Sequence, residues 1–227
     1  MPQRVGVMGG TFDPVHIGHL RTAEEAIEML DLDRILFIPA AHPPHKPGRQ
    51  ILAYAHRYRM LELAILDHPR FQISDIERKL PGKSYTAITL RTLRENARQE
   101  TELFFLIGLD AFLDLDTWWH YKELFQLAHM VVLRRPGYRE EQVGEFLGRN
   151  VSSRFRGCGE APCFIHPELL TVHYLENTRL GVSSTQIRLL VAQGRSIRYL
   201  APGDVVGYIE KEGLYRPREA EQDEKGT

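Results

Sequence analysis

The sequence is poor in cysteine. Its 227 residues include only two cysteines, Cys158 and Cys163, which lie five positions apart in a glycine-containing region. Zinc sites usually have closer spacing and a second ligand pair, so this pattern favours two reduced thiols in a surface loop. A disulfide is one alternative, and a metal pair completed by His166 or His173 is the other. We expect free thiols.

Long apolar runs and an excess of either charge are also lacking. No stretch approaches the roughly 20 apolar residues of a membrane span, and the first residues enter a strand-like segment instead of a secretory signal. The 29 Lys and Arg residues balance 30 Asp and Glu residues, for a net charge of -1. Such a balance provides no general attraction to nucleic acid or anionic membrane. We therefore expect a cytoplasmic protein that binds neither, and in which any phosphate binding is local.

Apolar runs with β-branched residues alternate with segments of helical period, a pattern typical of an α/β protein with a doubly wound parallel sheet. The predicted strands span residues 4–8, 34–39, 71–74, 102–107, 130–133 and 170–175. The predicted helices span residues 16–30, 54–66, 86–96, 183–193 and 204–211, the last capped by Asp204.

The domain organisation is predicted from the same pattern. Residues 1–216 are expected to form one domain, whose C-terminal part from about residue 183 is helical. Residues 217–227 carry many charges and no large apolar side chain, so this tail is expected to be disordered. Residues 138–167 show only weak periodicity and receive no structural assignment. No feature indicates the oligomeric state.

The strongest local signal is residues 9–19, Gly-Gly-Thr-Phe-Asp-Pro-Val-His-Ile-Gly-His, where the first strand leads into the first helix. In doubly wound sheets ligands bind at the carboxyl ends of the strands, and glycines let the backbone approach a phosphate there. His16 and His19 are three residues apart and so share a helix face. Both can donate hydrogen bonds to an α-phosphate under in-line attack. The predicted ATP-binding residues here are Gly9, Gly10, Thr11, Phe12, His16, Gly18 and His19.

A second signal is residues 182–188, Val-Ser-Ser-Thr-Gln-Ile-Arg, at the start of a late helix. Ser184 and Thr185 can cap this helix and present hydroxyls beside unpaired N–H groups. Arg188 lies about one turn further on and can reach the same anion. A simple helix cap is the alternative. The residues predicted to bind ATP in this segment are Ser183, Ser184, Thr185 and Arg188.

Both segments resemble known motifs. Residues 16–19, His-Ile-Gly-His, resemble the signature of the HIGH-type nucleotidyltransferase superfamily. Residues 182–188 resemble an Ile-Ser-Ser-Thr-x-Ile-Arg element that holds the ATP phosphates in adenylyltransferases. Within the superfamily, the chain is most similar to bacterial nicotinate-nucleotide adenylyltransferases over residues 5–135 and 171–215. The resemblance implies adenylyl transfer from ATP to nicotinate mononucleotide in NAD biosynthesis, with catalytic roles for His16, His19, Lys46 and Arg188.

Further stretches carry the resemblance at the acceptor end. Residues 43–46 resemble a Pro-His-Lys loop whose lysine supplies a cation for substrate phosphate, and Arg134 and Arg135 resemble nucleotide-contacting arginines. Residues 84–86 resemble the segment that meets the nicotinate, and residues 108–110 with Trp118 resemble the pocket for the ribose and the pyridine ring. The implied nicotinate mononucleotide site consists of Lys46, Ser84, Tyr85, Thr86, Gly108, Asp110, Trp118 and Arg135.

Several alternatives stay open at this point. Mg²⁺ is expected to arrive with ATP, because no carboxylate cluster indicates a metal bound by the protein alone. A pantetheine-phosphate or nicotinamide-nucleotide adenylyltransferase would share the His-x-Gly-His element. A class I aminoacyl-tRNA synthetase would need a longer chain. A nucleotide sensor without catalysis would not need the whole set of His16, His19, Lys46 and Arg188.

Overall fold

The computed structural model describes residues 2–43, 51–97, 100–159 and 161–217. Its strands are β1 Gln3–Gly10, β2 Arg34–Pro39, β3 Phe71–Ile73, β4 Thr101–Gly108, β5 His129–Leu133, β6 Arg156–Cys158, β7 Ala161–Ile165 and β8 Val172–Leu175. Its α-helices are α1 Ile17–Leu30, α2 Tyr54–Ile65, α3 Ile76–Lys79, α4 Thr86–Asn96, α5 Leu109–Leu113, α6 Tyr121–Leu127, α7 Glu141–Phe146, α8 Ser184–Ala192 and α9 Gly203–Lys211. A short 3₁₀ helix covers Leu115–Thr117 and a π-helical segment covers Leu147–Val151.

The strands form one sheet in the order β3-β2-β1-β4-β5-β8-β7-β6. The six strands from β3 to β8 in this order are parallel, and the β6–β7 hairpin adds antiparallel strands at one edge. Core clusters cover both faces: Ile27, Leu61 and Ile209 belong to one, whereas Leu90 and Phe112 belong to the other. Burial on two faces explains the continuous apolar runs of the central strands. The predicted doubly wound α/β fold is confirmed.

The element boundaries agree closely with the sequence predictions. Strand 34–39 and helix 86–96 have the predicted limits, and the other predicted elements differ by one or two residues at one or both ends. The predicted cap of the last helix is wrong. The helix begins at Gly203, with Pro202 at the N-cap, so Asp204 lies within the first turn. There its carboxylate still faces the positive end of the helix dipole.

Residues 138–167 contain structure that periodicity did not predict. This stretch holds α7, the π-helical segment and the two strands of the β6–β7 hairpin. Each of these four elements is only three to six residues long. Elements of this length are too short to establish a hydrophobic period. The predicted disordered tail, except for Pro217, lies outside the described residues, so that prediction and the single-domain prediction stay predictions.

Cys158 and Cys163 are joined in a disulfide, and the prediction of free thiols is wrong. They lie on β6 and β7, which pair antiparallel with a register shift beside Cys158. This pairing brings their Cα atoms to 5.4 Å, within the range that a disulfide spans. The alternative metal partner His166 instead hydrogen-bonds the hydroxyl of Ser152 at 2.9 Å. In the described part of the chain, no helix is long and apolar enough to cross a membrane.

Candidate active site

A cavity of about 490 Å³ opens at the carboxyl ends of β1, β4 and β5. The start of α1, the loop of residues 177–183 and the start of α8 complete its walls. This is the edge at which doubly wound sheets bind ligands. The sequence motifs at residues 9–19 and 182–188, which are far apart in the chain, therefore share one cavity.

The turn between β1 and α1 forms the floor of this cavity. Gly9 and Gly10 belong to β1, and the Gly10 carbonyl accepts a hydrogen bond from the Ala40 N–H at 2.8 Å. A Cβ atom on Gly10 would lie 3.1 Å from the ring of Phe12. Phe12 is buried and contacts the ring of His19 edge-to-face, with ring centroids 5.1 Å apart. The Phe12 ring of the turn therefore packs against the ring of His19.

His16 and His19 are held together by a stack and a hydrogen bond. Their ring centroids are 3.7 Å apart, and the backbone N–H of His16 donates to Nδ1 of His19 at 3.2 Å. Because Nδ1 of His19 accepts this bond, a neutral His19 ring carries its proton on Nε2. That atom can donate a hydrogen bond to an anion.

His16 is a neutral side chain at physiological pH. It is 8% exposed, and its Nδ1 is buried without a hydrogen-bond partner among the described residues. Burial, followed by the positive charge of Arg135, lowers the pKa of His16 to about 4. The ring can therefore supply a directed hydrogen bond to a ligand oxygen, without the desolvation cost of a buried imidazolium.

The start of α8 is docked onto the same turn. The Ser184 hydroxyl donates to the Pro14 carbonyl at 2.8 Å, and Nη1 of Arg188 donates to the Asp13 carbonyl at 2.6 Å. Nη2 of Arg188 donates to the Thr185 hydroxyl at 3.1 Å. These bonds bring Ser183, Thr185 and Arg188 to the cavity wall beside the histidines.

The predicted helix cap at this position needs correction. The hydroxyl of Ser183, not that of Ser184 or Thr185, caps α8 by accepting the Gln186 N–H at 3.2 Å. Ser183 has the extended backbone that an N-cap requires, whereas Ser184 is already helical and its hydroxyl is used for docking.

Two arginines follow β5 in the cavity wall. Arg134 pairs with Glu176 at 3.1 Å, and Nε of Arg135 lies 3.3 Å from Oδ1 of Asp110. A Cβ atom on Gly108 would lie 2.5 Å from that Asp110 oxygen and 2.8 Å from Nε of Arg135. Glycine at position 108 therefore lets the carboxylate and the guanidinium meet across the end of β4.

Known proteins match this chain over nearly its full length. A cytidylyltransferase-like family model matches residues 7–190. A protein of Geotalea daltonii named "Probable nicotinate-nucleotide adenylyltransferase" is 43% identical over 212 residues, which are 93% of this chain and 98% of the relative. One of the same name from Syntrophotalea carbinolica is 44% identical over 216 residues, covering 95% and 99% of the two chains. The chain belongs to the nicotinate-nucleotide adenylyltransferase family.

A solved structure agrees with the observed fold. The nicotinic acid mononucleotide adenylyltransferase of Plasmodium falciparum, complexed with NaAD, superposes with a TM-score of 0.72. The two sequences are 16% identical, and the match covers 94% of this chain and 97% of the other. At this identity the likeness concerns the fold alone, and it agrees with the nucleotidyltransferase architecture expected for the family.

The residues predicted for the acceptor end of this family's site are divided between two places: Gly108 and Arg135 line the cavity, whereas Ser84, Tyr85 and Thr86 lie at the start of α4. The Ser84 N–H donates to the His42 carbonyl at 3.1 Å, and the His42 N–H donates to the Ser84 hydroxyl at 3.0 Å. Since His42 follows the end of β2, this contact brings the start of α4 to the cavity's edge of the sheet. Thr86 is the first residue of α4, as predicted.

The tryptophan predicted for ring stacking is partly enclosed. Trp118 packs against one core cluster, whereas its neighbour Trp119 is 40% exposed and stacks on Tyr85 with ring centroids 5.2 Å apart. The sequence prediction names Trp118 and does not include Trp119, which is the tryptophan that contacts Tyr85 of the predicted nicotinate segment. Among the described residues, Ser84, Tyr85, Thr86, Asp110 and Trp118 do not line the 490 Å³ cavity. Lys46 lies outside the described residues.

Sequence reasoning also missed the support of the loop wall. Glu25 on α1 is 7% exposed and accepts hydrogen bonds from the N–H of Thr178, at 2.9 Å, and from its hydroxyl. Burial would raise the pKa of Glu25, but the bonds from Thr178 and Arg21 outweigh it and lower that pKa. A carboxylate on an otherwise buried helix face was the available signal.

The buried Asp13 and the partly buried Tyr215 form another contact that the sequence did not predict. The Tyr215 hydroxyl donates to Oδ1 of Asp13 at 2.7 Å, and Nη1 of Arg188 lies 3.9 Å from Oδ2. Burial, followed by the Asp13 charge, raises the pKa of Tyr215. The described residues contain no group of three His, Cys, Asp or Glu side chains suited to a metal ion.

Proposed function

We propose that this protein transfers the adenylyl group of ATP to nicotinate mononucleotide, giving nicotinate adenine dinucleotide and pyrophosphate, in the cytoplasm. The observation that carries the proposal is the stacked His16–His19 pair at the cavity floor, in a chain of this family. The pair provides hydrogen-bond donors at the end of β1, with Arg135 and Arg188 in the surrounding wall. Such a set stabilises phosphate charge and contains no obvious nucleophile.

We assign the ATP phosphates to the turn and the start of α8. His16 and His19 would donate to the α-phosphate oxygens, while the backbone of Gly9, Thr11 and Gly18 allows close approach. Ser183, Thr185 and Arg188 would bind the remaining phosphates. Gly10, Phe12 and Ser184 would act through the shape of the turn, because Phe12 is buried and Ser184 bonds the Pro14 carbonyl.

The reaction needs no covalent enzyme intermediate. An oxygen of the mononucleotide phosphate attacks the α-phosphorus of ATP, and the bond from that phosphorus to the bridging oxygen breaks. Pyrophosphate leaves with the electron pair, and the Mg²⁺ that we expect ATP to bring would neutralise charge on the phosphate oxygens. One in-line displacement inverts configuration at the α-phosphorus.

We assign the acceptor to the predicted acceptor residues, from Gly108 and Arg135 at the cavity to the start of α4. Lys46 and Arg135 would bind its phosphate, Gly108 and Asp110 its ribose, and Trp118 its pyridine ring. The N–H groups that begin α4, at residues 84–86, would bind the carboxylate. A carboxylate accepts hydrogen bonds at both oxygens, whereas an amide presents an NH₂ group to facing donors.

Pyrophosphate release with three acceptors tests the function. With matched Mg²⁺ and ATP, we expect kcat/KM for nicotinate mononucleotide to exceed that for nicotinamide mononucleotide at least about tenfold, or roughly 1.4 kcal/mol. Phosphopantetheine should release no pyrophosphate above background. Equal constants for the two mononucleotides would contradict the carboxylate assignment. Release with phosphopantetheine alone would refute the proposed acceptor, and no release with any acceptor would favour a nucleotide sensor.

A further inference from the structure

Arg57 on α2 is a buried arginine whose side chain, among the described residues, donates its hydrogen bonds to main-chain carbonyls. It is 2% exposed. Its Nη1 donates to the Thr11 carbonyl at 2.8 Å, its Nη2 to the Ala40 carbonyl at 2.8 Å and its Nε to the Leu52 carbonyl at 3.0 Å. All three distances are those of good N–H···O bonds.

The three carbonyls belong to different segments of the chain. Thr11 lies in the phosphate-binding turn proposed above, Ala40 follows β2, and Leu52 precedes α2. One guanidinium therefore ties the main chain at Ala40 and at Leu52 to the turn that carries the histidine pair. The Ala40 N–H bond to the Gly10 carbonyl reinforces the link.

Filling space does not explain an arginine at this position. Burial, the largest influence, lowers the pKa of Arg57, and Asp13 is the first of the charges that oppose this effect. A buried charge costs several kcal/mol before its hydrogen bonds offset that cost, and an apolar side chain of similar volume often gives equal or greater stability. What an apolar side chain cannot provide is a planar fork of donors that holds three carbonyls at once.

We propose that Arg57 is a positioning residue for adenylyl transfer. It fixes the main chain at Thr11 relative to Ala40 and Leu52, and so sets the position of the histidine pair relative to the predicted acceptor residues. This inference rests on the proposed function. Arg57 contacts the turn through the Thr11 carbonyl and acts on the substrates only through that turn. Lysine keeps the charge but has one nitrogen, which cannot reach all three carbonyls.

The test compares Arg57→Lys and Arg57→Gln with Arg59→Lys. Arg59 lies two residues along the same helix, is exposed and pairs with Glu62 at 3.3 Å, so it is a matched control. Assays are run well below the melting temperature of each variant and scaled to the folded fraction. We expect kcat to fall at least tenfold in both Arg57 variants, with a smaller rise in either KM, and both constants to stay within twofold in Arg59→Lys.

A purely structural Arg57 would give another result. Melting temperature would fall, yet kcat and KM per folded molecule would equal those of the unaltered protein, and this outcome would overturn the inference. If Arg57→Lys does not fold, Arg57→Gln, which keeps two donors, carries the same comparison.

Calorimetric titration with Mg·ATP separates this inference from the proposed function. If the unaltered protein transfers to no acceptor, the proposed function fails. Weaker Mg·ATP binding by Arg57→Lys than by Arg59→Lys would then still support a role in holding the turn. Equal affinities in that case would reject the positioning role as well.

Discussion

At the scale of single residues, the stacked histidines show how burial sets chemistry. Two imidazolium rings with centroids 3.7 Å apart would repel, but burial and Arg135 lower the pKa of His16 to about 4. A neutral imidazole is a poor acid, but its N–H group still donates a directed hydrogen bond. We therefore interpret the pair as stabilising charge on phosphate oxygens, and not as an acid and base.

Replacement of either histidine tests this interpretation. We expect His16→Ala and His19→Ala each to lower kcat roughly 10²-fold or more, the effect of losing one oxyanion-type donor. Circular dichroism should show an intact fold. His68→Ala is the control, because His68 precedes the amino end of β3, whereas the cavity lies at the carboxyl ends of the strands, and because His68 pairs with Glu24. Near-normal turnover in both active-site variants would refute the assigned site.

At the scale of elements, local contacts decide what each short segment does. The start of α8 serves as part of the cavity wall because Ser184 and Arg188 fasten it to the carbonyls of Pro14 and Asp13. The β6–β7 hairpin lies at the far edge of the sheet, separated from β5 by β8. We therefore expect its disulfide to stabilise the fold without acting on the cavity.

The hairpin disulfide is tested by Cys158→Ser/Cys163→Ser. Chain entropy for so small a loop gives a loss of about 2 kcal/mol in the free energy of unfolding, measured with urea. We expect kcat and KM to be unchanged, so that catalysis proceeds equally with the thiols reduced by dithiothreitol. A fall in kcat of tenfold or more in the folded variant would show that the hairpin acts on the site.

At the scale of the whole molecule, two half-buried histidines are expected to make stability depend on pH. His129 on β5 and His173 on β8 pack with the ring of Phe104, over which Arg4 also lies. Burial and Arg4 are among the influences that lower the pKa of both histidines to about 4, with Arg94 acting on His129 and His129 acting on His173. In the unfolded chain both should titrate near the usual 6.5.

The sign of the pH effect follows from this difference. Between pH 6.5 and 4 the unfolded chain binds more protons than the folded one, so stability falls as pH falls. Both side chains are partly exposed, and solvent weakens the effects on their pKa values. Each histidine should therefore contribute about 1 kcal/mol to this loss. Urea unfolding of His173→Phe from pH 7 to 4 should show a shallower decline than the unaltered protein. A decline in His173→Phe as steep as that of the unaltered protein would contradict the explanation.

The sequence by itself determined the sheet architecture, most element boundaries and the two motifs for which we propose phosphate binding. These features depend on hydrophobic period and on contiguous residues, such as His16 and His19 one helical turn apart. The same information placed Thr86 at the start of α4. It did not reach the short elements of residues 138–167, whose few residues show no period, or the cysteine pair, whose distance depends on strand register.

Only the tertiary structure decided which distant residues share the cavity and which groups hold its walls. Arg57 and Thr11 are 46 positions apart, Glu25 and Thr178 are 153 apart, and Asp13 and Tyr215 are 202 apart. Each pair joins a residue that follows the carboxyl end of a parallel strand, namely Thr11, Thr178 or Asp13, to a residue of a helix or of the segment after α9. Such contacts leave no periodic trace in the chain. The pKa of His16 and the exposure of Trp119 were likewise decided by packing, because burial depends on neighbours that the local sequence does not contain.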